Sequence, residues 1–169
     1  NDMEWAFDIM EEETILHFYP VIENQEITIT CEDTNRFEGN LFIAGEGGPT
    51  NITISGDFKF IESGQILLIK DSGCERPNVA IHELLHVLVF KHSKNPKNIM
   101  YEINKCEQTI GEDIVNLLNE LYSIPSQPDL LFENYSASMH GKYLDVNFTI
   151  RNDGLKDSEE SIVRIIVDG

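Results

Sequence analysis

His82-Glu83-Leu84-Leu85-His86-Val87-Leu88-Val89-Phe90-Lys91-His92 is the stretch that decides the fold. Four residues advance an α-helix by slightly more than one turn, so His82 and His86 share a face and both imidazoles can reach one metal ion. Glu83 sits one residue along, near such a metal but angled away from it, where a carboxylate can take a proton from water. His92 falls beyond the expected end of the helix, where the returning chain can supply a third nitrogen. Three neutral histidines leave one tetrahedral position open, which separates a catalytic zinc from a structural one. A solvated helix face or two core histidines would also fit His-Glu-x-x-His alone; the third histidine in register favours the metal.

The chain continues Ser93-Lys94-Asn95-Pro96-Lys97-Asn98-Ile99-Met100-Tyr101, a polar, turn-forming run that delivers a methionine soon after the last histidine. With a serine directly after the third histidine and a Met-Tyr pair at this distance, the segment resembles the metzincin metallopeptidases, and within them the matrixins of archaeal and bacterial type. The resemblance implies His82, His86 and His92 as zinc ligands, Glu83 as the general base and Met100 as the Met-turn beneath the metal. It also implies a zinc-dependent endopeptidase that hydrolyses peptide bonds through a metal-activated water. The substrate would be a protein or peptide lying extended along an edge strand, here the 51–61 region. Two rivals remain: a zinc-binding surface or adhesion protein without catalysis, and a zinc hydrolase that takes Glu112 as its third ligand.

One residue departs from the family pattern, which has glycine three positions after the second histidine, where this chain has Val89. Glycine ends a helix in a left-handed turn without steric cost, whereas a β-branched residue at positive φ is strained by about 1–3 kcal/mol. Either Val89 bears that strain or the helix ends by another geometry.

Around this centre the apolar periods give an α+β class: a metzincin-like catalytic domain with a twisted mixed sheet, an active-site helix, a Met-turn and a C-terminal helix, followed by a partial β-sandwich segment. Helical spacing runs from Glu4 through Leu16 and Phe18. Strand-like runs follow at 26–31, 40–44, 51–54 and 65–69, the last apolar enough to be central. Gly45-Glu46-Gly47-Gly48-Pro49 lacks the lysine and helix of a phosphate loop and reads as a surface turn. The metal helix is expected from about Pro77 to Val89 or Phe90. Thr109-Ile110-Gly111-Glu112 reads as a capping box that opens a last helix through Tyr122.

Residues 1–123 are therefore assigned to the catalytic domain, 124–128 to a linker and 129–169 to a β segment. The last alternates at 129–139, 142–150 and 161–167, and resembles the opening of an immunoglobulin-like module of CARDB type. The opening at Asn1 without methionine and the close at Gly169 both read as cut ends.

The 169 residues are 41% hydrophobic with a formal net charge of −18, enough for one sizeable core and without the basic stripe of a nucleic-acid surface. No apolar run is long enough to span a membrane. A bridge between Cys74 and Cys106 would enclose the site, leaving Cys31 unpaired; small buried thiols are the alternative. Such a bridge, with sequons at Asn51, Asn134 and Asn147, points to a secreted or cell-surface protein.

Overall fold

The computed structural model describes residues 1–56, 58–69 and 73–166. Its helices and strands are mixed along the chain, the α+β class expected. They group into two compact units, Asn1–Thr53 with Ile61–Ile124, and Ile54–Phe60 with Pro125–Gly169.

The first unit begins with α1 (Asp2–Glu13), whose open N–H groups are capped by the Asn1 side chain, accepting from Met3 at 2.9 Å and Glu4 at 3.0 Å. Met3, Ala6, Ile9 and Met10 form its buried stripe. The helical pattern was expected to reach Phe18, but α1 stops at Glu13. Thr14 there turns extended and sends both its N–H and its hydroxyl to the Met10 carbonyl, at 2.9 and 2.7 Å. Leu16 is nonetheless buried, and Phe18 folds back to stack on Phe7 with ring centroids 4.6 Å apart.

Three strands make the sheet: β1 (Ile27–Cys31), β4 (Gly45–Ser55) and β5 (Phe58–Leu68), in the order β1-β5-β4. β1 runs parallel to β5 with Ile29 opposite Ile66. A small hairpin, β2 (Arg36–Glu38) and β3 (Leu41–Ile43), precedes β4 and pairs Phe37 with Phe42. Contrary to the expectation of a surface turn, Gly45-Glu46-Gly47-Gly48-Pro49 is the first half of β4. Glycine weakens a strand, but it lets another element come close, and that is its use here.

What comes close is α2 (Asn78–Val87), apolar on nearly all sides and buried from Asn78 to Leu85 and at Val87. A Cβ on Gly64 of β5 would overlap a Val87 methyl, so this glycine lets helix and sheet seat together. α1 packs on α2, and α3 (Glu112–Tyr122) contributes Ile114 and Leu118 to the same core. The capping box does not form: α3 starts at Glu112 with Gly111 as N-cap and no side-chain cap. Thr109 is occupied elsewhere. Its N–H donates to the Lys97 carbonyl at 3.2 Å and its carbonyl accepts from Ile99 at 2.8 Å, so its backbone belongs to the loop below the helix.

In the second unit, β6 (Leu130–His140) and β7 (Tyr143–Asn152) form an antiparallel ribbon turned by Gly141 at φ +64°. A bulge between Glu133 and Ser136 holds Asn134 at φ +48°. The Asn152 carboxamide oxygen accepts from Asp129 at 2.9 Å and Gly154 at 3.1 Å, which ends the ribbon in a turn. Residues 161–166, expected as a strand, have no ladder partner among the described residues and leave Ile162 and Ile166 exposed; Val167 lies outside the described residues.

Candidate metal centre

α2 carries His82 and His86 one turn apart, and the way it ends decides where His92 goes. The last helical carbonyls are closed by a Schellman pair. Phe90 donates to Leu85 at 3.0 Å and Val89 to His86 at 3.0 Å, with Val89 in the left-handed region at φ +69°. Of the two geometries open to Val89, the strained one is present. The turn has a direct consequence for the site, because it aims the Phe90 carbonyl at His86 Nδ1, 2.8 Å away. His82 Nδ1 lies 2.7 Å from the Ile99 carbonyl. A carbonyl can only accept, so each Nδ1 carries the proton and each Nε2 offers its lone pair.

Those lone pairs meet. His92 Nε2 stands 3.3 Å from His82 Nε2 and 3.1 Å from His86 Nε2. Three nitrogens bound to one tetrahedral zinc at 2.0–2.1 Å would be roughly 3.3 Å apart. The donor set therefore fits zinc in number and type, and in both distances measured from His92. Among the described residues His82, His86 and His92 are the group that could hold a metal ion, and Glu112 is not part of it. Burial holds His82 neutral, lowering its pKa to about 4, and lowers that of His86 as well.

Below the histidines the loop after His92 closes on itself. Ser93 donates to the Met100 carbonyl at 2.7 Å, and the Asn98 side chain accepts from the Met100 N–H at 2.8 Å. Met100 is 1% exposed. Two fully buried amides pin the next segment: Asn78 donates to the Lys105 carbonyl at 2.8 Å, and Gln108 to those of Ile103 at 3.0 Å and Pro96 at 3.2 Å. Cys74 and Cys106 are joined by a disulfide across 32 positions of sequence, and Cys31 is free and exposed.

Glu83 is 7% exposed and lies under β4. Burial raises its pKa to about 7, the charge of Glu46 on β4 adds to the rise, and the Gly47 N–H offsets part of it. The contact with the strand is close. A Cβ on Gly47 would overlap the Glu83 carbonyl, and one on Gly45 would stand 2.8 Å from Glu83 Cγ.

The glycines of β4, the pinning amides Asn78 and Gln108, and Asn98 were not singled out from the sequence. For the glycines the signal was visible, since glycine at alternate positions of a strand marks a close backbone approach on one face. For Asn98 it lay in the Asn-x-x-Asn run of the loop, typical of side chains that bond their own backbone two residues on. Asn78 and Gln108 gave none, because only the tertiary structure brings their partner carbonyls within reach.

Among curated proteins none matches the chain. The model of the matrixin family of peptidases (M10) matches residues 1–123. With that match over nearly three-quarters of its length, and three imidazoles converging within it, the chain belongs to the matrixin family.

Proposed function

We propose that the protein is a zinc-dependent endopeptidase in which His82, His86 and His92 bind the metal and Glu83 is the general base. The observation that carries this is the convergence of three imidazole nitrogens within 4.8 Å of one another, with a buried carboxylate next along the helix that is not one of the converging ligands. Zinc held there would polarise the scissile carbonyl and make water acidic enough to attack it near neutral pH.

The chain's own groups do the rest. Glu83 takes the proton of the attacking water and returns it to the leaving amine. The Ile99 and Phe90 carbonyls hold the imidazoles in the tautomer that binds metal. Met100 forms the apolar floor. β4 borders β5 on one side only among the described residues, and its other edge is the place for an extended peptide to add as a further strand. The disulfide and the family support action outside the cell, and no helix among the described residues is long and apolar enough to cross a membrane. The β6–β7 ribbon is read as the opening hairpin of an immunoglobulin-like module.

Cleavage of an unstructured protein such as casein by the zinc-loaded chain tests the reading, beside Glu83→Ala and a chelated control. Activity lost in both controls supports it. Stoichiometric zinc without cleavage refutes it.

A further inference from the structure

We propose that Gly45 is a positioning residue for the Glu83 carboxylate: the space left by its missing side chain is the space in which the base lies. The proposal rests on the peptidase reading above. A Cβ built on Gly45 stands 2.8 Å from Glu83 Cγ, 3.1 Å from Glu83 Oε1 and 3.0 Å from Val79 Cγ1. All three are side-chain atoms, from residues one turn apart on the same face of α2. Neither backbone is free to yield. The strand is held next to Gly45 by the Ile69 N–H, which donates to the Ala44 carbonyl at 2.9 Å. The helix is already seated against Gly47, where an added Cβ would meet the Glu83 backbone, and against Gly64 through Val87.

A methyl group at position 45 must therefore be absorbed by side chains. Val79 is β-branched and stiff at χ1, and it is 7% exposed. Glu83 has three rotatable bonds where Val79 has one stiff one, so its carboxylate is what moves. Gly45 and Gly47 thus divide the work. Gly47 sets the distance between strand and helix; Gly45 sets where on that helix the carboxylate points. Gly45 does not touch the reacting atoms, and it acts only through Glu83.

The test compares wild type, Gly45→Ala, Glu83→Gln and the double variant. A displacement of the order of 1 Å at a catalytic group costs about 100-fold in rate. Gly45→Ala is expected to lose about that much in kcat with KM within twofold, while zinc stoichiometry stays at wild-type level. The double variant should fall to the level of Glu83→Gln alone and no lower, because once the base is gone its placement no longer matters; losses that multiply would overturn the proposal. Crystal structures of metal-free wild type and Gly45→Ala give a readout independent of activity. The Glu83 carboxylate is expected in a different rotamer, and an unmoved carboxylate sinks the idea.

Should Gly45→Ala fold poorly, Gly45→Ala/Val79→Ala removes the second contact. A packing role predicts full activity in that variant, whereas a positioning role predicts recovered stability with kcat still low. If wild type does not cleave protein at all, the peptidase reading falls, and the crystal comparison still decides what Gly45 does to Glu83.

Discussion

Val89 offers the sharpest physical test of how the site is built. It holds φ +69° at the turn that ends α2, where the family pattern has glycine, and it is 46% exposed. An L-residue in that region costs about 1–2 kcal/mol relative to the right-handed helix. Replacing it by glycine removes that cost but returns roughly 0.4–1 kcal/mol through the freer unfolded chain. It also forfeits about 1 kcal/mol for a half-buried valine side chain. Val89→Gly should therefore be within about 1 kcal/mol of wild type in stability. The cleaner comparison is Val89→Gly with Val89→Ala, since both lose the same two methyls and differ only by a Cβ at positive φ. Glycine should exceed alanine by about 1 kcal/mol, a shift of about 3 °C in Tm for a chain of this size. Zinc affinity, measured by chelator competition, should stay within about threefold of wild type for the glycine variant. The Phe90 carbonyl that orients His86 depends on the turn, and glycine makes that turn more easily. Alanine more stable than glycine, or a tenfold loss of zinc affinity in Val89→Gly, would refute the reasoning.

Glu83→Gln should abolish cleavage, and it should also change the pH dependence of stability in the metal-free protein. Glu83 has a folded pKa of about 7 against its ordinary value of 4.5, so between those values the folded state binds more protons than the unfolded one. Its contribution to stability is greatest at low pH and is lost as pH rises through 7. The glutamine variant should therefore gain on wild type by up to about 3 kcal/mol between pH 4.5 and 7.5, read from urea melts. His82 works the other way, its folded pKa of about 4 against 6.5 costing stability as pH falls through that window. Because both variants retain His82, the difference between them isolates Glu83; a flat difference would show that the carboxylate is not desolvated. Cys74→Ser/Cys106→Ser opens a loop of 32 positions and should lower stability by about 3–4 kcal/mol in denaturant titrations. A loss under 1 kcal/mol would mean that the unfolded chain is compact there without the bridge. Gly64→Ala should destabilise by about 1–3 kcal/mol through overlap with Val87, and adding Val87→Ala should recover part of the loss. Simple additivity of the two would place the strain elsewhere.

How much of this was legible in the sequence depended on what kind of interaction each feature uses. The α+β class, with its helical stripes and strand periods, follows from local pattern, because burial of one face leaves a repeat of 3.6 or 2 in the chain. Histidine spacing on α2 is local in the same sense. The ends of elements were less legible, because they are set by competition for backbone groups. Thr109 has the side chain of an N-cap, yet its backbone is committed to Lys97 and Ile99, so Gly111 is the N-cap of α3 instead. Thr14 closes α1 on Met10 although the apolar period runs on to Phe18.

Least legible was the part of β4 that lies over the site. A run with three glycines in five residues looks like a turn while one strand is considered alone, since nothing in it recommends a strand. Only the helix beneath makes it intelligible. Gly47 admits the backbone of α2, and Gly45 faces the side chain of the residue proposed to move the proton. The same segment is therefore the edge proposed for the peptide and the wall against which Glu83 rests. A β4 displaced from α2 by a substitution at Gly47 would carry substrate edge and base apart together. Gly47→Ala should consequently raise KM as well as lower kcat, whereas Gly45→Ala should lower kcat alone. Steady-state kinetics on the two variants separate the roles, and an identical pattern for both would show that the strand acts only as a spacer.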